Sequence, residues 1–74
     1  MENELKINAR RLTAPGPRLM VEAALAKGSC RILRVVVSDR AAADDLEAYA
    51  SELGAAFKID QVGDEFHLIF EFGK

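Results

Sequence analysis

The sequence is poor in the residues that most often carry chemistry. It has one cysteine, one histidine and no tryptophan. A single cysteine, Cys30, excludes an internal disulfide, so stability must come from packing. One cysteine and one histidine, His67, leave no cluster of the zinc-binding kind. The acidic residues lack calcium-loop spacing, no glycine loop of the Walker or dinucleotide type is present, and no serine has a partner pattern for nucleophilic attack. No metal and no cofactor is therefore expected. No apolar run approaches the ~20 residues that cross a bilayer, and nothing reads as a secretory leader. The expectation is a cytoplasmic protein with no membrane association. Internal repeats and low-complexity segments are absent as well.

What is present suits one small domain over residues 1–74. A chain of this size buries only about 60% of its unfolded surface. Half of its residues are hydrophobic, but twelve are alanines, so eight leucines, five valines, four isoleucines and four phenylalanines must form the core. The net charge of −2 is unevenly spread. Residues 1–40 hold eight Lys/Arg against four acids, and residues 41–74 hold two lysines against eight acids. Arg10, Arg11 and Arg18 bracket the sequence Ala14-Pro15-Gly16-Pro17.

Hydrophobic periodicity divides the chain into six elements. Leu5 and Ile7 alternate with Glu4, Lys6 and Asn8, the pattern of a half-buried strand. A helix is expected from about Pro17 to Lys27, with Gly28 as its C-terminal stop. Pro17, Val21, Ala24, Leu25 and Gly28 share its core face, and Leu19, Ala23 and Ala26 the opposite one. Cys30 to Val37 is nearly continuous in apolar residues and reads as an interior strand. Ser38 and Asp39 offer N-cap chemistry for a second helix over Arg40 to Leu53. Its inward stripe is Ala42, Leu46, Tyr49, Ala50 and Leu53. Asp44, Asp45, Glu47, Ser51 and Glu52 face outward, the two aspartates suiting the helix dipole. Gly54 ends that helix. Phe57 and Ile59 then alternate with Lys58 and Asp60, Gly63-Asp64 marks a turn, and Phe66, Leu68, Phe70 and Phe72 share one face of a last strand. Residues 1–3 and 73–74 read as loose ends.

This order, βαβαββ, predicts a two-layer α/β (α+β) sandwich. Strands joined through a helix should be parallel, and the last two should form an antiparallel hairpin, giving a four-stranded mixed sheet. Two helices cannot cover both faces, so both are expected on one. Arg34, Lys58, His67 and Glu71 then lie on the bare face with Ile32, Val36 and Ile69. Val21, Val35, Leu46, Leu53, Phe66, Leu68 and Phe70 are the expected core.

The segment between the first strand and helix is a tight corner. Pro15 fixes its own φ and restricts Ala14. Gly16 relaxes the backbone between two stiff residues, and Pro17 suits a first helical position. Asn8-Ala9-Arg10-Arg11-Leu12-Thr13-Ala14-Pro15-Gly16-Pro17 resembles the signature of the TusA/SirA/YedF family of small sulfur-handling proteins, roughly D-A-x-G-L-x-C-P-x-P before a helix. Ala9, Leu12, Pro15 and Pro17 match. Asn8 stands for the aspartate, Arg11 for the glycine and Ala14 for the cysteine, and the resemblance runs over nearly the whole chain. It implies the same two-layer fold and a sulfur-relay setting, in which the family's cysteine carries sulfur as a persulfide.

Ala14 cannot carry a persulfide, so no catalytic residue is expected. The resemblance, so qualified, implies a non-catalytic binding or regulatory module in sulfur-related metabolism that recognises a protein partner. The alternative is a sulfur carrier, acting through Cys30 or having had its cysteine replaced at position 14. The corner residues Arg10, Arg11, Pro15, Gly16, Pro17 and Arg18 form the candidate binding site, for a small anion at the helix N-terminus. Six arginines could also contact phosphates, but the acidic net charge and the lack of exposed aromatics count against nucleic acid.

Overall fold

The computed structural model describes residues 4–28 and 30–72; the loose ends expected from the sequence lie outside them. The elements are β1 (Glu4–Ala9), α1 (Gly16–Ala26), β2 (Ile32–Val37), α2 (Arg40–Leu53), β3 (Ala56–Val62) and β4 (Glu65–Glu71). The sheet has the order β1-β2-β4-β3. β1 and β2 are parallel, with Glu4 beside Ile32 and Ala9 beside Val37. β2 and β3 each pair antiparallel with β4. β2, the most continuously apolar strand, is interior, as its composition requires.

Both helices lie on one face of this sheet. α1 packs on β1 and on α2, and α2 packs on β2, β3 and β4. Val21 of α1 and Ala42, Ala43, Leu46 and Ala50 of α2 are buried against Leu33, Val35 and Val37 of β2 and Phe66, Leu68 and Phe70 of β4. Three of the four α2 residues are alanines, so the helix backbone comes close to the sheet and large side chains are supplied by the strands. Phe70 meets the edge of Phe57 at 5.4 Å between ring centres and stacks with Phe72 at 6.3 Å.

Several local expectations are corrected. Leu53 is 39% exposed instead of buried. It closes the last turn of α2 near the sheet edge, where the inward residue of β3, Ile59, is also 45% exposed, so the core thins on that side. Gly28 does not stop α1 with a left-handed residue; Lys27 caps the helix in right-handed conformation, its N–H donating to the Ala24 carbonyl while the Gly28 N–H donates to the Leu25 carbonyl. Gly54 does end α2 in left-handed conformation, at φ 72°. Asp39 is the N-cap of α2 by backbone geometry, but neither it nor Ser38 caps with its side chain. The Ser38 hydroxyl donates instead to the Arg10 carbonyl. Asp44 and Asp45 lie beyond the first turn of α2. Asp44 accepts from Arg40 at 3.2 Å, and Asp45 is half-buried toward α1 rather than outward.

Candidate functional site

The corner between β1 and α1 is held by its own backbone. Leu12 N–H donates to the Ala9 carbonyl at 3.2 Å and Gly16 N–H to the Thr13 carbonyl at 2.8 Å. Asn8 Oδ1 accepts from Arg10 N–H at 3.2 Å. The Ala14–Pro15 peptide is cis. Pro17 is fully buried, so it anchors the start of α1. Gly16 suits a close approach: a Cβ there would stand 3.3 Å from the Leu12 Cβ, so Leu12 would have to give by a few tenths of an ångström. Ala14 itself is exposed.

The three arginines of the candidate site part company. Arg10 forms an ion pair with Glu65 at the start of β4. Arg18 turns toward α2: its Nε donates to Glu22 Oε2 at 3.4 Å, its Nη1 lies 3.8 Å from Asp45 Oδ1, and its guanidinium sits 5.3 Å from the Tyr49 ring centre. Burial pushes the Tyr49 phenol up from its usual pKa. Arg11 is exposed and has no carboxylate partner among the described residues. Beside it runs a shallow groove of about 580 Å³ lined by Asn8, Ala9, Arg10, Arg11, Leu12 and Met20. Leu12, Leu19 and Met20 are all more than a third exposed.

The first turn of α1 offers fewer free donors than a helix start normally does. Gly16 N–H is used by Thr13 and Leu19 N–H by Pro15, the latter at 3.1 Å. Pro17 has no N–H. The Arg18 N–H is left as the one first-turn donor without a backbone acceptor among the described residues. The structure thus groups Arg11, Pro15 and Gly16 at the corner with exposed Leu12 and Met20, while Pro17 is interior and Arg10 and Arg18 are tied to acids. Glu65, Asp45 and Tyr49 are the partners that periodicity could not identify, since each comes from an element far along the chain.

Cys30 stands elsewhere. It lies two residues before β2, and because β2 is parallel to β1 it lies at the end of the sheet where β1 begins. Ala14 lies beyond the end where β1 finishes, and the 11-residue α1 separates the two by about 16 Å. Cys30 is 7% exposed, and burial pushes its thiol up. A raised thiol is protonated at neutral pH and is a poor nucleophile. No group of three or more His, Cys, Asp or Glu among the described residues could hold a metal ion. No helix among them is long and apolar enough to cross a membrane.

Comparison with known proteins places this geometry. A crystal structure of a SirA-like protein from Desulfitobacterium hafniense superposes with a TM-score of 0.82 at 18% identity, over 95% of this chain and 99% of that one. That likeness is one of fold. No curated protein matches the chain in sequence. A family model described as sulfurtransferase TusA matches residues 5–71. Since that match takes in both helices and nearly all of the four-stranded sheet, the chain belongs to the TusA family of sulfurtransferases.

Proposed function

We infer that this chain is a non-catalytic member of its family, a TusA-like recognition module for a protein partner in sulfur metabolism in the cytoplasm. The observation that carries the reading is the mismatch between site and thiol. Residue 14, on the exposed corner before α1, is alanine, and the chain's single cysteine is buried near the other end of the sheet. In the family pattern set out above, residue 14 takes the cysteine's place. A persulfide forms when a thiolate accepts sulfane sulfur from a donor. A methyl group cannot do this, and Cys30 lacks both the exposure and the lowered pKa that it needs.

The corner retains features suited to recognition. Exposed Leu12, Leu19 and Met20 lie near Arg11, the corner arginine with no internal acid to satisfy. A partner segment with apolar side chains and a carboxylate would complement it, and a small anion could meet Arg11 and the free Arg18 N–H.

Incubation with a cysteine desulfurase and ³⁵S-cysteine tests the reading. The expected result is no label on the protein after non-reducing isolation. Stoichiometric label on Cys30 that passes to an acceptor thiol would overturn it in favour of a sulfur carrier acting through that residue.

A further inference from the structure

The sheet face opposite the helices carries a groove that meets the corner segment through Asn8 and Arg10. It measures about 490 Å³ and lies over β1, β2 and β4. Its floor includes Val36 and Ile69, which are half-buried although neither helix covers that face. Long polar side chains shelter them: Lys6, Asn8, Arg34 and His67 stand around the floor. The register fixes this arrangement. Lys6 is beside Arg34 and Asn8 beside Val36 across β1 and β2. Arg34 is opposite Ile69 and Val36 opposite His67 across β2 and β4.

The charges around this groove do not cancel. Glu4 is engaged by Arg34. Glu65 is engaged by Arg10, and His67 Nε2 lies 3.3 Å from its other oxygen. Both nearby acids are therefore taken by arginines. Lys6 has no carboxylate partner among the described residues, and its neighbour across the strand pair is another cation. Glu4 offsets Arg34, so Lys6 is the uncompensated cation of the pair, and an anion between the two would meet Lys6 and the guanidinium N–H groups that Glu4 does not take. The same row continues to Lys58 on β3, which is opposite Ile69.

We propose that this groove binds a small organic anion, with its carboxylate or phosphate between Lys6 and Arg34 and its apolar body on Val36 and Ile69. Arg34 supplies a planar fork and Lys6 a point charge with three donors. Asn8 and His67 offer hydrogen bonds beyond the apolar floor. The volume falls within the ~300–1,000 Å³ of small-molecule sites. Lys6 and Arg34, the proposed anion ligands, lie outside the corner, although Asn8 and Arg10 line both grooves.

The test is an amide-resonance titration of the full chain at low salt with four probes: benzoate, phenyl phosphate, inorganic phosphate and benzyl alcohol. The expected result is a saturable shift at Lys6, Asn8, Val36, His67 and Ile69 with benzoate or phenyl phosphate. The better of the two identifies the anionic group. Inorganic phosphate and benzyl alcohol should bind at least tenfold more weakly. Lys6→Gln, at an exposed position, should weaken binding at least fivefold with the spectrum otherwise unchanged. Ile69→Glu, which places a carboxylate on the floor, should abolish it. Unchanged affinity in Lys6→Gln, equal binding of benzyl alcohol, or shifts confined to residues 11–19 would overturn the proposal.

Discussion

Arg10 and Glu65 are joined by an ion pair across 55 positions of sequence. The pair ties the residue after β1 to the first residue of β4, two strands that are not neighbours in the sheet. Between them, Ser38 after β2 donates to the Arg10 carbonyl. Arg10 thus fastens the corner to the sheet from both its side chain and its backbone, and it is occupied in doing so.

The pair makes stability depend on pH in the acid range. The hydrogen bond from Arg10, with a further one from His67, holds the Glu65 carboxyl below its usual pKa. A carboxyl lowered in the folded state contributes stability that is present above its unfolded pKa and is lost as pH falls through the folded one. Glu65→Gln should therefore flatten the decline in melting temperature between roughly pH 5 and pH 3. Near neutrality it should lower the melting temperature slightly, as befits an exposed pair. Parallel melting curves for the two proteins across the acid range would contradict this.

Phe70 is fully buried and touches the rings of both Phe57 and Phe72. Phe70→Ala removes a large side chain from the centre of a small core, and the destabilisation should be about 3–5 kcal/mol. That is a large share of what a domain of this size possesses. Urea unfolding at equilibrium measures it, and a loss under about 1 kcal/mol would mean that the sheet repacks freely around the vacancy.

The two helix C-termini should respond differently to the same substitution. Gly54 has φ 72°, where a Cβ is strained, although nothing lies within 4 Å of the position a Cβ would take. Gly28 has equal space and no positive φ. Gly54→Ala should thus cost about 1–2 kcal/mol, and Gly28→Ala should change stability by under about 0.5 kcal/mol. Equal effects in denaturant titrations would show that the αL residue does not set the end of α2.

The sequence disclosed the fold because its signals are local and repetitive. Alternation along Phe66, Leu68 and Phe70 fixed the inward face of β4, and the apolar run of β2 fixed its interior place. The helical stripe mis-sorted Leu53, since periodicity gives direction but not the distance to the sheet edge. The site was less legible. The pattern located the corner, and Gly16 does sit close against Leu12 there. It could not foresee that Arg10 would find Glu65, or that Arg18 would find Glu22, Asp45 and Tyr49. Ser38 misled for a similar reason: a hydroxyl suited to cap α2 was claimed by a carbonyl from β1's end.

Ala14→Cys asks whether the corner still provides the field that a reactive thiol needs. The position is exposed and two residues before α1, so the new side chain can reach the positive end of the helix. Arg11 would add to that field undiminished, whereas Glu65 offsets Arg10, and Glu22 with Asp45 offset Arg18. The expected pKa is therefore between roughly 7 and 8.5, lowered from the free thiol but not to the extreme of the most acidic catalytic cysteines. Cys30 is the internal control, for its burial pushes it the other way. Iodoacetamide alkylation followed thiol by thiol by mass spectrometry across pH 6–10 gives both curves in one sample. The new thiol should react well below the pH at which Cys30 does. Adding Arg11→Ala should move its pKa back toward ~8.5 if the arginine dominates, and leave it in place if the helix does. A new thiol that titrates at or above the free value in the first variant would mean that the corner has lost the electrostatics of a sulfur site along with the cysteine.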